Sequence, residues 1–393
     1  MNNFYWPLMS NNIIREDIDR LINFLQQEPI PQLTNGPKVK EFEEAWSKWL
    51  GVKYSLFVNS GSSANELTML AIKYWHGDGE VIVPPLTWVS DIASILHAGL
   101  KPVFCDINLR NLSFDLNHLK SVVNDNTRAI FLTHVLGING LTQELIDFCS
   151  KRDILLIEDV SESHGTTFQK KKVGSFGYAS NFSFYFAHHM STIEGGMVCT
   201  NDPNFYQILR CLRSHGMLRE STDEELKKTI LDKHPTLNKD FVFLAPAHNF
   251  RSTEMNAVLG LSQLTRLDDN NKKRQERFEY FIKNLDSSKY HTEMNIDGQC
   301  NYAFIVILKN PDMEARNRLE QLLQTNAIEF RRGLSGGGSQ LKQPYAKELE
   351  LGKESQFSNM EHIHNYSWYI GNYPTLEWEK IDFLLNILNN ADI

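Results

Sequence analysis

Cysteine is sparse and scattered: Cys105, Cys149, Cys199, Cys211 and Cys300 are the only five in 393 residues, and no two form a C-x-x-C pair. That spacing argues against a structural zinc site, a clustered iron–sulfur centre and a disulfide framework, and it fits a reducing cytoplasm. Long apolar runs are missing too. A membrane helix needs roughly 18 apolar residues; Ala129 to Ile138 is among the most apolar stretches, and Thr133 and His134 interrupt it. The opening Met1-Asn2-Asn3-Phe4-Tyr5-Trp6 has neither a basic region nor a long apolar core, so no signal peptide is expected. Positive charge is in deficit, Lys+Arg 40 against Asp+Glu 48 for a net −8. An acidic chain makes general nucleic-acid binding a poor expectation, because phosphate backbones attract positive surface. A local basic pocket for a phosphorylated ligand stays compatible with that balance.

What is present is an ordinary globular composition, 41% hydrophobic and 22% charged, long enough for two or three domains. Ile14, Ile18, Leu21, Ile22 and Leu25 share one face of a first helix, and Val39, Phe42, Trp46 and Leu50 mark a second that Gly51 stops. Strands and helices then alternate: Tyr54–Val58, helix 64–74, Val81–Val83, helix 91–97, Pro102–Cys105, helix 116–123, Ala129–Thr133, helix 143–150 and Ile154–Ile157. Repeated βα units imply a mostly parallel sheet covered on both faces. Phe182–Phe186 and Met197–Thr200 are expected to complete it. Met217 to Pro246 reads as a polar excursion over the surface or the site. One long helix is expected from Glu254 to about Leu285, with Asp268 to Arg277 as a solvated charged face. A strand at 303–308 and helices at 314–324 and 377–388 predict a smaller α+β domain. The division is therefore 1–250, N-terminal helices and a large α/β domain, and 251–393, a linking helix and a small domain.

Four segments carry chemistry. Asn59-Ser60-Gly61-Ser62-Ser63-Ala64-Asn65 lies between a strand and a helix, where glycine and hydroxyls converge on an anion at a helix N-terminus or simply cap a turn. Pro85-Leu86-Thr87-Trp88 ends a strand, where an aromatic can stack on a flat ring or fill a core. Glu158 and Asp159 follow an apolar run, so a buried carboxylate there needs a cationic partner such as a protonated pyridine nitrogen; metal ligation competes, but no His/Asp/Glu spacing nearby completes a site. Ser183-Phe184-Tyr185-Phe186-Ala187-His188-His189 puts a histidine pair between an apolar strand and the Glu194-Gly195-Gly196 turn.

In this order the segments resemble the sugar aminotransferase and 3-dehydratase family of fold-type I pyridoxal-phosphate enzymes, which act on nucleotide-linked 4-keto sugars. The likeness runs from the Thr34-Asn35-Gly36-Pro37 turn past His248-Asn249-Phe250-Arg251, nearly the whole chain. It implies a mostly parallel seven-stranded sheet with a small C-terminal domain. It implies that Gly61, Ser62 and Ser183 hold the cofactor phosphate, that Trp88 stacks on the ring and that Asp159 pairs with its nitrogen. Asn249 would reach the phosphate of a neighbouring subunit's cofactor, which implies an obligate homodimer with shared sites.

One position departs from the aminotransferases of that family. Five residues after Ser183, where they place a Schiff-base lysine, stands His188, and no lysine occurs between Lys172 and Lys227. The substitution resembles the family's 3-dehydratases of deoxysugar synthesis, including those acting on GDP-4-keto-6-deoxymannose, and Glu162 is in that subgroup's pattern. An imidazole cannot form the covalent link but can shuttle protons. The resemblance then implies a pyridoxal/pyridoxamine 5′-phosphate C3 dehydratase, regenerated by L-glutamate, with His188 as base or, counting back from the glycines, His189. His215, Arg219 and Arg331 are implied on the substrate side, with Arg213 beside them and Gly336-Gly337-Gly338-Ser339 near the sugar nucleotide. A GDP-hexose, a GDP-heptose or a CDP-sugar would suit. A transaminase using an unaligned lysine, and a non-catalytic regulator on the same fold, are the competing readings.

Overall fold

The computed structural model describes residues 5–353 and 356–393; residues 1–4, part of the opening segment read for a targeting signal, lie outside the described residues. Helices α1 (Arg15–Leu25) and α2 (Pro37–Leu50) precede the alternation. It runs β1 (Tyr54–Val58), α3 (Gly61–His76), β2 (Glu80–Val83), α4 (Val89–His97), β3 (Lys101–Phe104), α5 (Leu116–Val122), β4 (Thr127–Thr133), α6 (Gln143–Lys151) and β5 (Leu155–Asp159). A small hairpin, β6 (Thr167–Phe168) and β7 (Lys171–Lys172), leads to β8 (Ala179–Ser183) and β9 (Gly196–Thr200). Helices α7 (Pro203–Arg213), α8 (Glu224–Lys233), α9 (Glu254–Leu264) and α10 (Leu267–Asn284) follow. The C-terminal part holds β10 (Ala303–Ile307), α11 (Met313–Thr325), β11 (Phe330–Arg332), α12 (Pro344–Glu348), α13 (Ser358–Tyr366), β12 (Ser367–Gly371) and α14 (Trp378–Asn389).

Seven strands form one sheet in the order β1-β9-β8-β5-β4-β2-β3. Only β9 runs against its neighbours; the others share one direction. Helical crossovers between parallel strands therefore bring the carboxyl ends of β1, β2, β4, β5 and β8 to one edge. That edge carries Ser60, Trp88, His134, Asp159 and Ser183. A second, antiparallel sheet, β10-β12-β11, forms the small domain. The boundary drawn at residue 250 separates the two sheets, but the N-terminal segment crosses it. Trp6 is fully buried against the small sheet, donating Nε1–H to the Gly371 carbonyl at 3.0 Å and its backbone N–H to Ala327.

The first helix forms as expected, its shared apolar face lying outward, and three other sequence expectations are corrected. The apolar stripe of α1 does not face this chain's core: Ile14, Ile18, Ile22 and Leu25 are exposed, while Asp17 and Phe24 are buried. Asp17 docks the helix instead, accepting from Ser262 Oγ at 2.7 Å and from both terminal nitrogens of Arg266 at 2.8 and 2.6 Å. The single helix from 254 to 285 is two, because Arg266 leaves helical geometry (φ −117°, ψ 4°) as its side chain reaches back to Asp17. The strand expected at 182–186 ends at Ser183, beyond which the chain folds back so that Phe184 N–H meets the Gly195 carbonyl. Finally, the charged face of α10 is not wholly solvated. Arg274 and Arg277 are buried, donating to the carbonyls of Asn372 and Leu376 in the small domain. Burial pulls the Arg274 guanidinium down to about 10.

Candidate active site

A cavity of about 590 Å³ opens at the sheet edge between the two domains, within the range of small-molecule sites. One end is the N-terminus of α3. Ser60 caps it by accepting from Ser63 N–H at 3.0 Å, leaving the first backbone N–H groups for an anion. Gly61 is there because of space: a Cβ at that position would lie 2.5 Å from Ser183 Cβ. Ser62 and Ser183 line the same corner. Trp88, the N-cap of α4, forms a wall with 54% of its surface exposed.

Glu158 and Asp159, adjacent on β5, have separate roles. Glu158 is fully buried and structural: it accepts from the N–H groups of Gly174, Phe176 and Gly177 at 2.7, 3.0 and 2.7 Å, and contacts His134 Nε2 at 3.1 Å. Asp159 faces the cavity and accepts from Ser161 N–H at 2.8 Å. Glu162 Oε2 accepts from Leu136 N–H at 3.1 Å, and its Oε1 from Ser335 Oγ at 3.2 Å, tying the large domain to the glycine loop of the small one. Burial pushes the Glu162 carboxyl up to about 7.

The two histidines diverge. His188 lines the cavity, and its Nδ1 has no protein partner. His189 turns inward, 1% exposed, with Nε2 at 2.8 Å from the Cys300 carbonyl. Burial, helped by the Arg274 charge, draws the His188 imidazole down to about 4, so it is neutral near pH 7. Among the described residues no lysine lines the cavity. Arg331, Ser335, Gly336 and Gly337 close it from the small domain. Gly336 is required by close approach: with φ +62°, its Cβ would sit 2.2 Å from the Thr87 carbonyl oxygen.

His215, Arg219 and Asn249 are not in this chain's cavity. They lie exposed on a ribbon in which residues 214–218 pair with 242–249, and which meets β1 through Asn59 N–H to the Phe250 carbonyl at 2.9 Å. Arg213 is structural, buried against Glu43 at 2.6 Å. Several lining residues escaped the sequence reading. Tyr302, just before β10, and Tyr369, on β12, arrive from the other sheet, while Thr133 ends β4 and His134 follows it. Thr133-His134 follows an apolar strand at the active edge, which is a usable signal; isolated tyrosines carry none.

Over residues 11–389 the sequence matches the DegT/DnrJ/EryC1/StrS aminotransferase family. The chain belongs to that family. Among family members, a GDP-4-keto-6-deoxy-D-mannose 3-dehydratase from Escherichia coli O55:H7 is 31% identical, covering 90% of this chain and 92% of its own. A GDP-perosamine synthase from Caulobacter vibrioides is 32% identical over a shorter span, 60% of this chain and 58% of its own. A solved E. coli GDP-4-keto-6-deoxy-D-mannose-3-dehydratase with bound hydrated PLP superposes with a TM-score of 0.86 at 29% identity, covering 98% of this chain and 99% of that one. The cavity fits pyridoxal phosphate. The N–H groups that α3 leaves unpaired at its head, with Ser62 and Ser183 beside them, suit a phosphate; the exposed face of Trp88 suits a flat ring, and the Asp159 carboxyl suits a cationic ring nitrogen.

Proposed function

We propose that this protein is a cytoplasmic, pyridoxal/pyridoxamine-phosphate-dependent C3 dehydratase of a nucleotide-linked 4-keto-6-deoxy sugar, a GDP-hexose or GDP-heptose first, in polysaccharide precursor synthesis. The observation that carries the reading is a neutral, partner-free imidazole at position 188 in a cavity that no lysine lines. In the amine form, the cofactor supplies a primary amine for the C4 ketone and an electron-accepting ring. Gly61, Ser62 and Ser183 hold the phosphate, and because no covalent link anchors the ring, more of the binding falls on these contacts and Trp88. Asp159 keeps the ring nitrogen protonated, since an opposite charge raises its pKa. His188, lining the cavity with an unpartnered Nδ1, would take up a proton as base and then give it to the departing C3 hydroxyl as acid. Glu162 orients the ring's polar edge, Arg331 meets the nucleotide diphosphate, and L-glutamate restores the amine.

The sites are completed across a homodimer. In support, Asn249, His215 and Arg219 sit on an exposed ribbon outside their own cavity, and the apolar stripe of α1 lies uncovered on one chain.

Protein supplied with pyridoxal phosphate and glutamate should convert a GDP-4-keto-6-deoxy sugar to a 3-deoxy product. His188→Asn should abolish that conversion while still binding cofactor by absorbance. A 4-amino sugar as product would overturn the assignment in favour of transamination.

A further inference from the structure

Behind Asp159 lies a second carboxyl that the proposed reaction does not use. Asp91, on α4, is fully buried; it bonds the hydroxyl of Thr133, which stands beside Asp159 in the pairing of β4 with β5, and so brings its carboxyl against that of Asp159. Asp91 Oδ1 accepts from Asn65 Nδ2 at 2.6 Å; Oδ2 meets the Thr87 hydroxyl and, at 3.1 Å, that of Thr133. Those two hydroxyls also meet each other at 2.7 Å. Every one of these neighbours is neutral. The buried arginine–carboxylate pairs of the described residues lie elsewhere, at Glu43 and Asp17. Among the described residues Tyr345 stands close to Asp91 and Glu162 close to Asp159, neither of them a cation; His134, which follows Thr133 and lines the same cavity, turns its ring to Glu158 at 3.1 Å, and no lysine or arginine forms an ion pair with either aspartate.

Two touching carboxyls without a cation cannot both be ionised; they share a proton. We propose that Asp91 is a positioning residue that holds this proton and donates it to Asp159, fixing the orientation of Asp159 and leaving a single negative charge to face the cofactor ring. Asp91 is wholly enclosed, whereas Asp159 opens on the cavity and accepts the Ser161 N–H, which assigns the proton to Asp91; burial, with Asp159 adding to it, accordingly raises the Asp91 carboxyl well above the ordinary carboxylate range. The bond also keeps the free face of Asp159 turned to the cavity. The ring proton then stays on nitrogen instead of passing to the carboxylate. The role at the ring rests on the cofactor reading above; the proton on Asp91 does not.

Infrared spectroscopy of the cofactor-free protein tests the proton directly. In a Glu162→Gln background, which removes the carboxyl that burial raises to about 7, the carbonyl-stretch band of a protonated carboxylic acid should persist at neutral pH and vanish on Asp91→Asn. No such band, or one that survives Asp91→Asn, overturns the proposal. With pyridoxamine phosphate labelled with nitrogen-15 in the ring, Asp91→Asn, which keeps a donor to Asp159, should leave the ring nitrogen shift and affinity as in the parent. Asp91→Ala should move the shift towards unprotonated pyridine and weaken cofactor affinity about tenfold, the loss of one charge-assisted hydrogen bond. An Asp91→Ala protein with parental melting temperature, shift and affinity overturns the positioning role; if that variant does not fold, the infrared and Asp91→Asn arms decide. Failure of the parent to bind pyridoxamine phosphate with the infrared band intact would instead count against the assigned function alone.

Discussion

Neutral imidazole at position 188 is a consequence of where the side chain is held. Burial first, and the Arg274 guanidinium second, draw it to about 4. A kcat/KM profile should therefore have an acid limb near pH 4, well below the ~6.5 of a hydrated histidine; a limb at the hydrated value would mean an open, wet site. The same shift acts on folding. The unfolded chain takes a proton below ~6.5 that the folded chain refuses, so this group's stabilising contribution is intact above that pH and fades as pH falls towards 4. Glu162 acts in the opposite direction, its contribution present at low pH and lost as pH rises through about 7. Motif spacing pointed to both positions, but their protonation was not legible, because it depends on desolvation by distant residues.

Among the elements, α2 is started by a residue more than two hundred positions away. Glu254, at the head of α9 and 1% exposed, accepts from the N–H groups of Gly36, Lys38 and Val39 at 2.9, 2.8 and 2.8 Å. A carboxylate there meets three donors that the helix itself leaves unpaired. Glu254→Ala should cost roughly 2–4 kcal/mol, by charge-assisted bonds lost in a buried setting. A urea midpoint that falls with an unchanged m-value checks this; an unmoved midpoint would show that α2 is held otherwise. The βα alternation was legible because side-chain period differs between strand and helix. The break at Arg266 and the outward apolar stripe of α1 were not, since Arg266 and the docking of α1 both answer to Asp17, 249 positions from that arginine.

For the whole molecule, the shared-site arrangement we propose predicts complementation between inactive chains. Asn249→Ala should disable the neighbour's site and His188→Asn its own. Mixed and reassorted, half the dimers become hybrids with one intact site each, so activity should return to about a quarter of wild type. No recovery after verified subunit exchange would show that each chain completes its own site.

The sequence alone determined the sheet-and-helix order, the loops that reach the active edge and the missing lysine, since each is a matter of local periodicity or spacing. Tertiary structure alone decided that His188 faces the cavity while His189 bonds Cys300, that Arg274 is buried, and that Asp91 meets Asp159. Those outcomes depend on which distant surfaces exclude water from a side chain, and no local pattern encodes that.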